Sequence, residues 1–467
     1  MAWSFKIMKQ FINVLLLGLL MVGGCTRSQD KISPTAILIS NANVLDVRTG
    51  KIMEAYQIVI DSGKVQQLTA TLKNPEAYAV QIDGRGKYVL PGFAEMHAHI
   101  PPPDTGAERI EETLFLYLAN GITTIRGMLG DPAHLQLRER AEKGKLLAPR
   151  IFTSSPSLNG NSVTNIEEAI QKVTAYQLQG YDFLKIHPGI QRDVFDQVVK
   201  TANEVGIPFA GHVPVAVGIR HALESKYASI DHIDGFLEGL VPDTVGVDPA
   251  QNGFFGYNFT HLADTTKIDV LVEMAKQNQV WIVPTQSLFE RWFAPISAEE
   301  LLTQPEMKYM PVSTLENWKQ RKIEASGTDA DFDKVQWQRF DAIRKQLLKK
   351  LHKNGHGILL GSDAPQIFNV PGFSIHHEME GMLNAGLSPL EVIRAGTLNS
   401  AIYFNREGSL GEIKEGFDAD LIMVDANPLE NIKALQQISG VMRQGKWLSK
   451  AFIDKKLSEI AAHALQN

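Results

Sequence analysis

The chain has 467 residues, 44% of them apolar and 21% charged, which is the composition of a globular protein long enough for one large domain with a small companion. A net charge of −6 spread over this length argues against a nucleic-acid binder and against a polybasic membrane surface. Cys25 is the one cysteine, so a disulfide within the chain and cysteine-ligated zinc are both excluded.

The N-terminus reads MAWSFKIMKQFINVLLLGLLMVGGCTRSQD. Lys6 and Lys9 precede an apolar run over residues 11–22 that is short for a bilayer span, and Gly23 and Gly24 are the small residues a signal peptidase needs. VGGC resembles the lipobox of bacterial lipoproteins. That implies a signal peptide over residues 1–24, cleavage before Cys25, and lipidation of its thiol. Thr26, not aspartate, follows, so nothing suggests inner-membrane retention; the expected place is the periplasmic side of the outer membrane, tethered by acyl chains.

Beyond residue 30, AILISNANVLDV, QIVIDSGKVQQL and KYVLPGF are short strand-like runs broken by turn residues. Strands and amphipathic helices then alternate. From VLPGFAEMHAHI the strand signals are TTIRGM, RIFTSS, DFLKIH, PFAGHV, SIDHID, VWIVPTQ and GILLGSD, eight in all. Asn165, with Glu168 three residues on, is placed to cap one of the helices between them. Strand–helix alternation implies a parallel sheet with crossover helices, and eight such units predict an α/β fold of the (β/α)8 TIM-barrel type. No glycine-rich dinucleotide turn follows the first strand. Residues 238–262 and 290–335 are expected as irregular loops over one face. After residue 407 the chain returns to short strands. Residues 25–88 and 408–452 are therefore expected to form one small β-sandwich, with the barrel over 89–407 and a C-terminal helix or tail over 453–467.

On a strand, residues i and i+2 share a face, so His97 and His99 project together from the C-terminal end of the first barrel strand, where barrel active sites sit. Two imidazoles converging on one point suit a divalent metal. Lys185, His212, His232 and Asp363 occupy matching positions at the ends of strands four, five, six and eight. Singly, each has an ordinary structural reading: a snorkelling lysine, a hydrogen-bonded histidine, a helix-capping aspartate. Together they point to chemistry.

PGFAEMHAH resembles the first-strand signature of the amidohydrolase superfamily, with Glu95 where aspartate is usual, and GEIKEGFDADLIMVD resembles its closing signature. VPGFSIHHEMEGMLNAGLSPLEVIRAGTLNSA is similar to the branch with imidazolonepropionase-like proteins and Xaa-Pro dipeptidases. Arg126-Gly127 stands where that family reads Arg-Asp. The resemblance implies two divalent metal ions, zinc first among the candidates. His97, His99 and Asp363 would hold one, His212 and His232 the second, and Lys185 would bridge them as a carbamate formed with carbon dioxide. His187 is the near neighbour that could be confused with Lys185. A metal pair makes hydroxide available at neutral pH, and Asp363 is expected to take the proton and pass it to the leaving amine. His376, with His377 as rival, resembles a position near substrate. Arg126 is expected to hold a substrate carboxylate, or else to form a structural ion pair.

The expected activity is hydrolysis of a C–N amide bond in a small substrate: a dipeptide (Xaa-Pro as the narrower case) or a cyclic amide. The alternatives are a mononuclear imidazolonepropionase-like cyclic amidohydrolase and, from another class, a non-catalytic periplasmic binding protein on the same barrel. Expected partners are that substrate and the membrane, through the N-terminal lipid, with barrel helices able to pair copies of the chain and no nucleic acid.

Overall fold

The computed structural model describes residues 32–326 and 333–466; the signal-peptide and Cys25 readings lie outside them. Eight parallel strands carry the larger part: β1 Phe93–Ala98, β2 Ile122–Gly127, β3 Arg150–Thr153, β4 Leu184–Ile186, β5 Phe209–Gly211, β6 Ser229–Asp231, β7 Trp281–Val283 and β8 Gly357–Ile358. They hydrogen-bond in chain order as a sheet of three, β1 to β3, and a sheet of five, β4 to β8. Parallel bridges Ser154–Phe183 and Leu158–Ile186 link the two sheets at one seam, and Ala98–Ala364 links them at the other. There Met96 N–H donates to the Leu360 carbonyl at 2.9 Å and Asp363 N–H to the His97 carbonyl at 3.0 Å, so the two histidines and the aspartate are set by one stretch of paired backbone.

A helix follows most strands, and its apolar face explains why it packs where it does. In Arg192–Val205 the buried residues are Val194, Phe195, Val198, Thr201 and Ala202, an i, i+4, i+8 stripe. Asn165 caps Ile166–Gln179 by accepting from Glu168 N–H at 3.0 Å. The Glu168 carboxylate reaches Thr164 N–H at 2.7 Å instead of closing a capping box on Asn165.

Both chain ends meet in one eight-stranded sheet ordered Lys446–Ser449, Ile438–Arg443, Leu421–Val424, Tyr88–Pro91, Ile37–Leu45, Ile52–Asp61 and Lys64–Thr69, with Val80–Asp83 beside Ile37–Leu45. The strands expected as a sandwich are thus hydrogen-bonded as a single sheet. Its far edge returns on itself at the antiparallel bridge Lys64–Asp418, enclosing Ile39, Val44, Ile58, Val65, Val89 and Met423.

Two sequence expectations are corrected. Residue 89 does not open the barrel, because Tyr88–Pro91 pairs with the terminal sheet on both sides and β1 begins after Gly92. A Cβ at Gly92 would lie 2.2 Å from Thr123 Oγ1, so the chain can cross between sheets there only without a side chain. The described part of 290–335 is largely helical: Ala298–Leu302 and Val312–Ser326 are α-helices, with Pro305–Tyr309 a 3-10 turn between them. Tertiary packing accounts for it, since Leu301, Met307, Met310 and Trp318 are buried and Lys322 donates to the Trp292 and Ala294 carbonyls.

Candidate metal centre

The C-terminal ends of the parallel strands gather the predicted residues. His97 and His99 leave β1 with ring centroids 5.3 Å apart. His99 Nε2 lies 2.6 Å from Asp363 Oδ1, His97 Nε2 lies 3.6 Å from the same oxygen, and His232 Nδ1 lies 3.8 Å from Asp363 Oδ2. Ring centroids continue from His97 to His232 at 4.5 Å, to His212 at 4.6 Å, and to His187 at 4.7 Å. Among the described residues, His97, His232 and Asp363 offer ligand atoms within 4.8 Å of one another, a trio drawn from both expected metal sets; Glu108, Glu112 and His463 form a second, more exposed group of the same kind.

Backbone strain aims several of these side chains. His232, Thr285 and Asp363 have φ of 66°, 46° and 64°, in the segments that follow β6, β7 and β8. Left-handed backbone costs a non-glycine residue about 1–2 kcal/mol and is tolerated where a site demands it. Thr285 repays its position by lying 2.8 Å from His232 Nδ1 through its Oγ1. Gly211 has φ 128°, and a Cβ there would sit 2.3 Å from the Ile186 carbonyl and 3.1 Å from Lys185 Cδ. The lysine stem occupies the space a larger residue before His212 would need.

Lys185 is 1% exposed on β4. Burial, partly offset by Asp231 and Asp363, brings its pKa down to about 8. Burial also brings His212 to about 3, with the Lys185 charge adding to the effect, and it holds His97 and His232 well below the ordinary imidazole value. These rings are neutral, with lone pairs to give. For Asp363 burial pushes upward, but His97, the hydrogen bond with His99, and Lys185 outweigh it and hold the carboxyl below the usual range. The donor set is therefore neutral nitrogen plus carboxylate oxygen, and the buried His99 Nδ1 has no hydrogen-bond partner. That chemistry fits divalent metal ions.

Asp231 and Asp234, both in SIDHID, escaped the sequence reading. Asp231 Oδ2 lies 3.0 Å from His97 Nδ1, and Asp234 Oδ2 lies 3.1 Å from His212 Nδ1 while accepting from Val213 N–H at 3.0 Å. Carboxylates behind ligating histidines fix ring orientation and raise basicity. Phe255, with φ 54°, was also missed; its ring lies 5.3 Å from His232 and 5.8 Å from His212 and covers that side of the cluster.

Two residues expected at the substrate are engaged by the protein's own groups. Arg126 is not a substrate clamp: it is fully buried and its donors are committed. Its Nε donates to the Met96 carbonyl at 2.6 Å, Nη1 to Ser229 Oγ and Tyr403 Oη at 2.7 Å each, and Nη2 to Asp231 Oδ1 and Oδ2 at 2.9 and 3.1 Å. It is the structural ion pair instead, and through Asp231 it supports His97. His376 is not among the clustered histidines. It is buried in the helix Ser374–Asn384 with Nε2 3.2 Å from Asn120 Oδ1, and the charges it feels are those of His377 and Glu306. His377 Nε2 lies 2.8 Å from Glu306 Oε1. Glu95 serves as a strap between strands: its carboxylate accepts from Ser362 N–H at 2.8 Å, Ser362 Oγ–H at 2.6 Å and His97 N–H at 3.0 Å.

The ochratoxinase of Aspergillus niger is 32% identical over 121 residues, which is 24% of this chain and 24% of that protein. A dihydroorotase of Caldanaerobacter subterraneus is 25% identical over 205 residues, 39% of this chain and 46% of its own. The chain thus spans about a quarter to a half of the length of these curated relatives. Among solved structures, a bottromycin amidohydrolase superposes with a TM-score of 0.71 at 21% identity, covering 93% of this chain and 92% of its own. A Xaa-Pro dipeptidase with bound methionine superposes at 0.62 and 20% identity, covering 89% and 100%. The model of the amidohydrolase family matches residues 88–448, and the chain belongs to that family.

Proposed function

We propose that this protein is a metal-dependent hydrolase of a C–N amide bond in a small or peptide-like substrate, with its two parallel sheets closed as a (β/α)8 barrel. The observation that carries the reading is the convergence of His97, His99, His212 and His232, buried Lys185 and ionised Asp363 on one rim. His97, His99 and Asp363 would hold one divalent ion, and His212 and His232 a second. Lys185 would join them once its amine carries carbon dioxide as a carbamate, an anionic oxygen donor in place of an ammonium that would repel them. Bound there, the metal pair supplies Lewis acidity and a lowered pKa for water.

The remaining work falls to the protein's own groups. Asp363, held as a carboxylate, accepts a proton at its oxygen and returns it to the departing amine. Asp234 and Thr285 keep His212 and His232 in orientation, and Asp231 places a carboxylate 3.0 Å from His97 Nδ1. Phe255 keeps water from one side of the cluster. The similar proteins include an amidohydrolase, a Xaa-Pro dipeptidase and an ochratoxinase, which supports an amide substrate without selecting one. The lipobox-like VGGC before Thr26 supports a lipid anchor at the periplasmic side of the outer membrane.

The test is a panel of dipeptides, including Xaa-Pro, and N-acyl amino acids offered to metal-loaded protein. Hydrolysis abolished by chelator, restored by metal and absent in Asp363→Asn is expected. Binding of the panel without turnover in any metal would favour the binding-protein alternative.

A further inference from the structure

The left-handed corners at His232 and Thr285 persist only if their surroundings over-determine them. Part of that comes from within: His232 N–H donates to the Val283 carbonyl at 2.7 Å, and Thr285 Oγ1 meets the His232 ring. The rest comes from one side chain. Arg344, on the helix Lys334–Asn354, donates from Nη1 to the His232 carbonyl at 2.7 Å, from Nη2 to the Pro284 carbonyl at 2.9 Å and from Nε to Gln286 Oε1 at 3.1 Å. It thus grips the corner after β6 and the residues on either side of Thr285. Its Cζ lies 3.4 Å from the centroid of the Phe289 ring, and the residue is 2% exposed. An arginine is seldom buried this far unless an opposite charge is paired with it. Burial brings its pKa down to about 9, with Glu378, Asp341, Asp234 and Glu290 opposing, so it remains a cation at neutral pH. Yet among the described residues its hydrogen bonds go to uncharged oxygens. A planar fork of donors can hold carbonyls from two strand ends at once, which a lysine's point charge does not.

Resting on the metal-dependent reading, we propose that Arg344 is a positioning residue for the second ion: by fixing the backbone after β6 and β7 it sets where the His232 ring points, and through it the affinity of the His212–His232 half of the site. The other half has its own supports, the pairing of β1 with the segment after β8 and the Glu95 strap, in which Arg344 has no part.

The experiment is a competitive zinc titration of full-length protein in bicarbonate, beside Arg344→Lys, Arg344→Met and Leu347→Ala. Arg344→Lys keeps the charge and loses the fork. Leu347 is buried one turn along the same helix, so Leu347→Ala opens a cavity, leaves the three hydrogen bonds in place and controls for lost stability alone. Both Arg344 variants should bind one of the two ions about 10- to 100-fold more weakly and the other as the parent does, and Leu347→Ala should bind both normally. Where Arg344→Met does not fold, Arg344→Lys carries the comparison. Two normal affinities in Arg344→Lys, or an equal loss in Leu347→Ala, would overturn the proposal. A parent that binds fewer than two ions contradicts the metal pair separately. Arg344 is then read in metal-free protein by carbon-13 histidine NMR, with the His232 signal assigned by its absence from His232→Gln. A His232 signal displaced in Arg344→Lys and not in Leu347→Ala supports the clamp; one unmoved in Arg344→Lys, or moved equally in both, overturns it.

Discussion

Arg126→Met removes the most heavily committed side chain near the metal centre. Both Arg126 and Asp231 have fully buried side chains, and the guanidinium donates two bonds to that carboxylate and three more to Met96, Ser229 and Tyr403. Methionine fills much of the volume but leaves Asp231 a buried charge with only the Ser229 hydroxyl, at 2.9 Å, still donating. Breaking a buried pair from one side costs about 3–5 kcal/mol, a large fraction of the roughly 5–15 kcal/mol that holds a typical domain. Asp231 also lies 3.0 Å from His97 Nδ1, so metal affinity should fall about 10- to 100-fold. Adding Asp231→Leu removes the stranded charge. The double variant should regain part of the stability but none of the affinity, because His97 has lost its carboxylate. Guanidinium unfolding and competitive zinc titration read the two quantities. A single variant less than about 1 kcal/mol destabilised, with unchanged affinity, would refute the reasoning.

Carboxylation of Lys185 needs the neutral amine, so labelled bicarbonate added to metal-free protein should give a carbon-13 carbamate signal whose rise with pH is centred near 8; a midpoint near 10.5 would contradict the burial argument. Between those two values the folded chain has released a proton the unfolded chain still holds, so the stability of metal-free protein should rise with pH across that window, as urea unfolding would register. Glu95→Ala strands three buried donors at the joint of β1 and β8 and should cost about 3 kcal/mol or more in denaturant unfolding, whereas an unaltered midpoint would mean the strap is dispensable. Cys25→Ala should move the protein from the membrane fraction to the soluble fraction, and retention on the membrane would remove the lipid anchor from the account.

Local periodicity made the strands and the clustered strand-end residues readable. His97 and His99 share a face by i, i+2 spacing, and the strand ends bearing Lys185, His212, His232 and Asp363 were marked by apolar runs stopping at polar residues. What stayed hidden was decided between distant segments. Arg126 and Asp231 are 105 positions apart, and nothing in TTIRGM says that the guanidinium turns inward to SIDHID and not outward to substrate. Gly92 reads as an ordinary glycine after proline until Thr123 is placed against it. The helix Val312–Ser326 is polar enough to pass for a loop, and tertiary contacts such as the packing of Trp318 and the carbonyl contacts of Lys322 hold it in place. His376 has the sequence context of a substrate contact, but its ring is taken by Asn120, 256 residues earlier.

The central claim is a pair of metal ions joined through Lys185, and metal content per chain tests it most directly. Protein lacking residues 1–25, purified with zinc and bicarbonate, should carry about two metal ions per chain, and Lys185→Ala should carry about one or fewer while remaining folded. One ion in both proteins would contradict the bridged pair and favour the mononuclear cyclic-amide alternative, and none in either would contradict the metal-dependent account altogether.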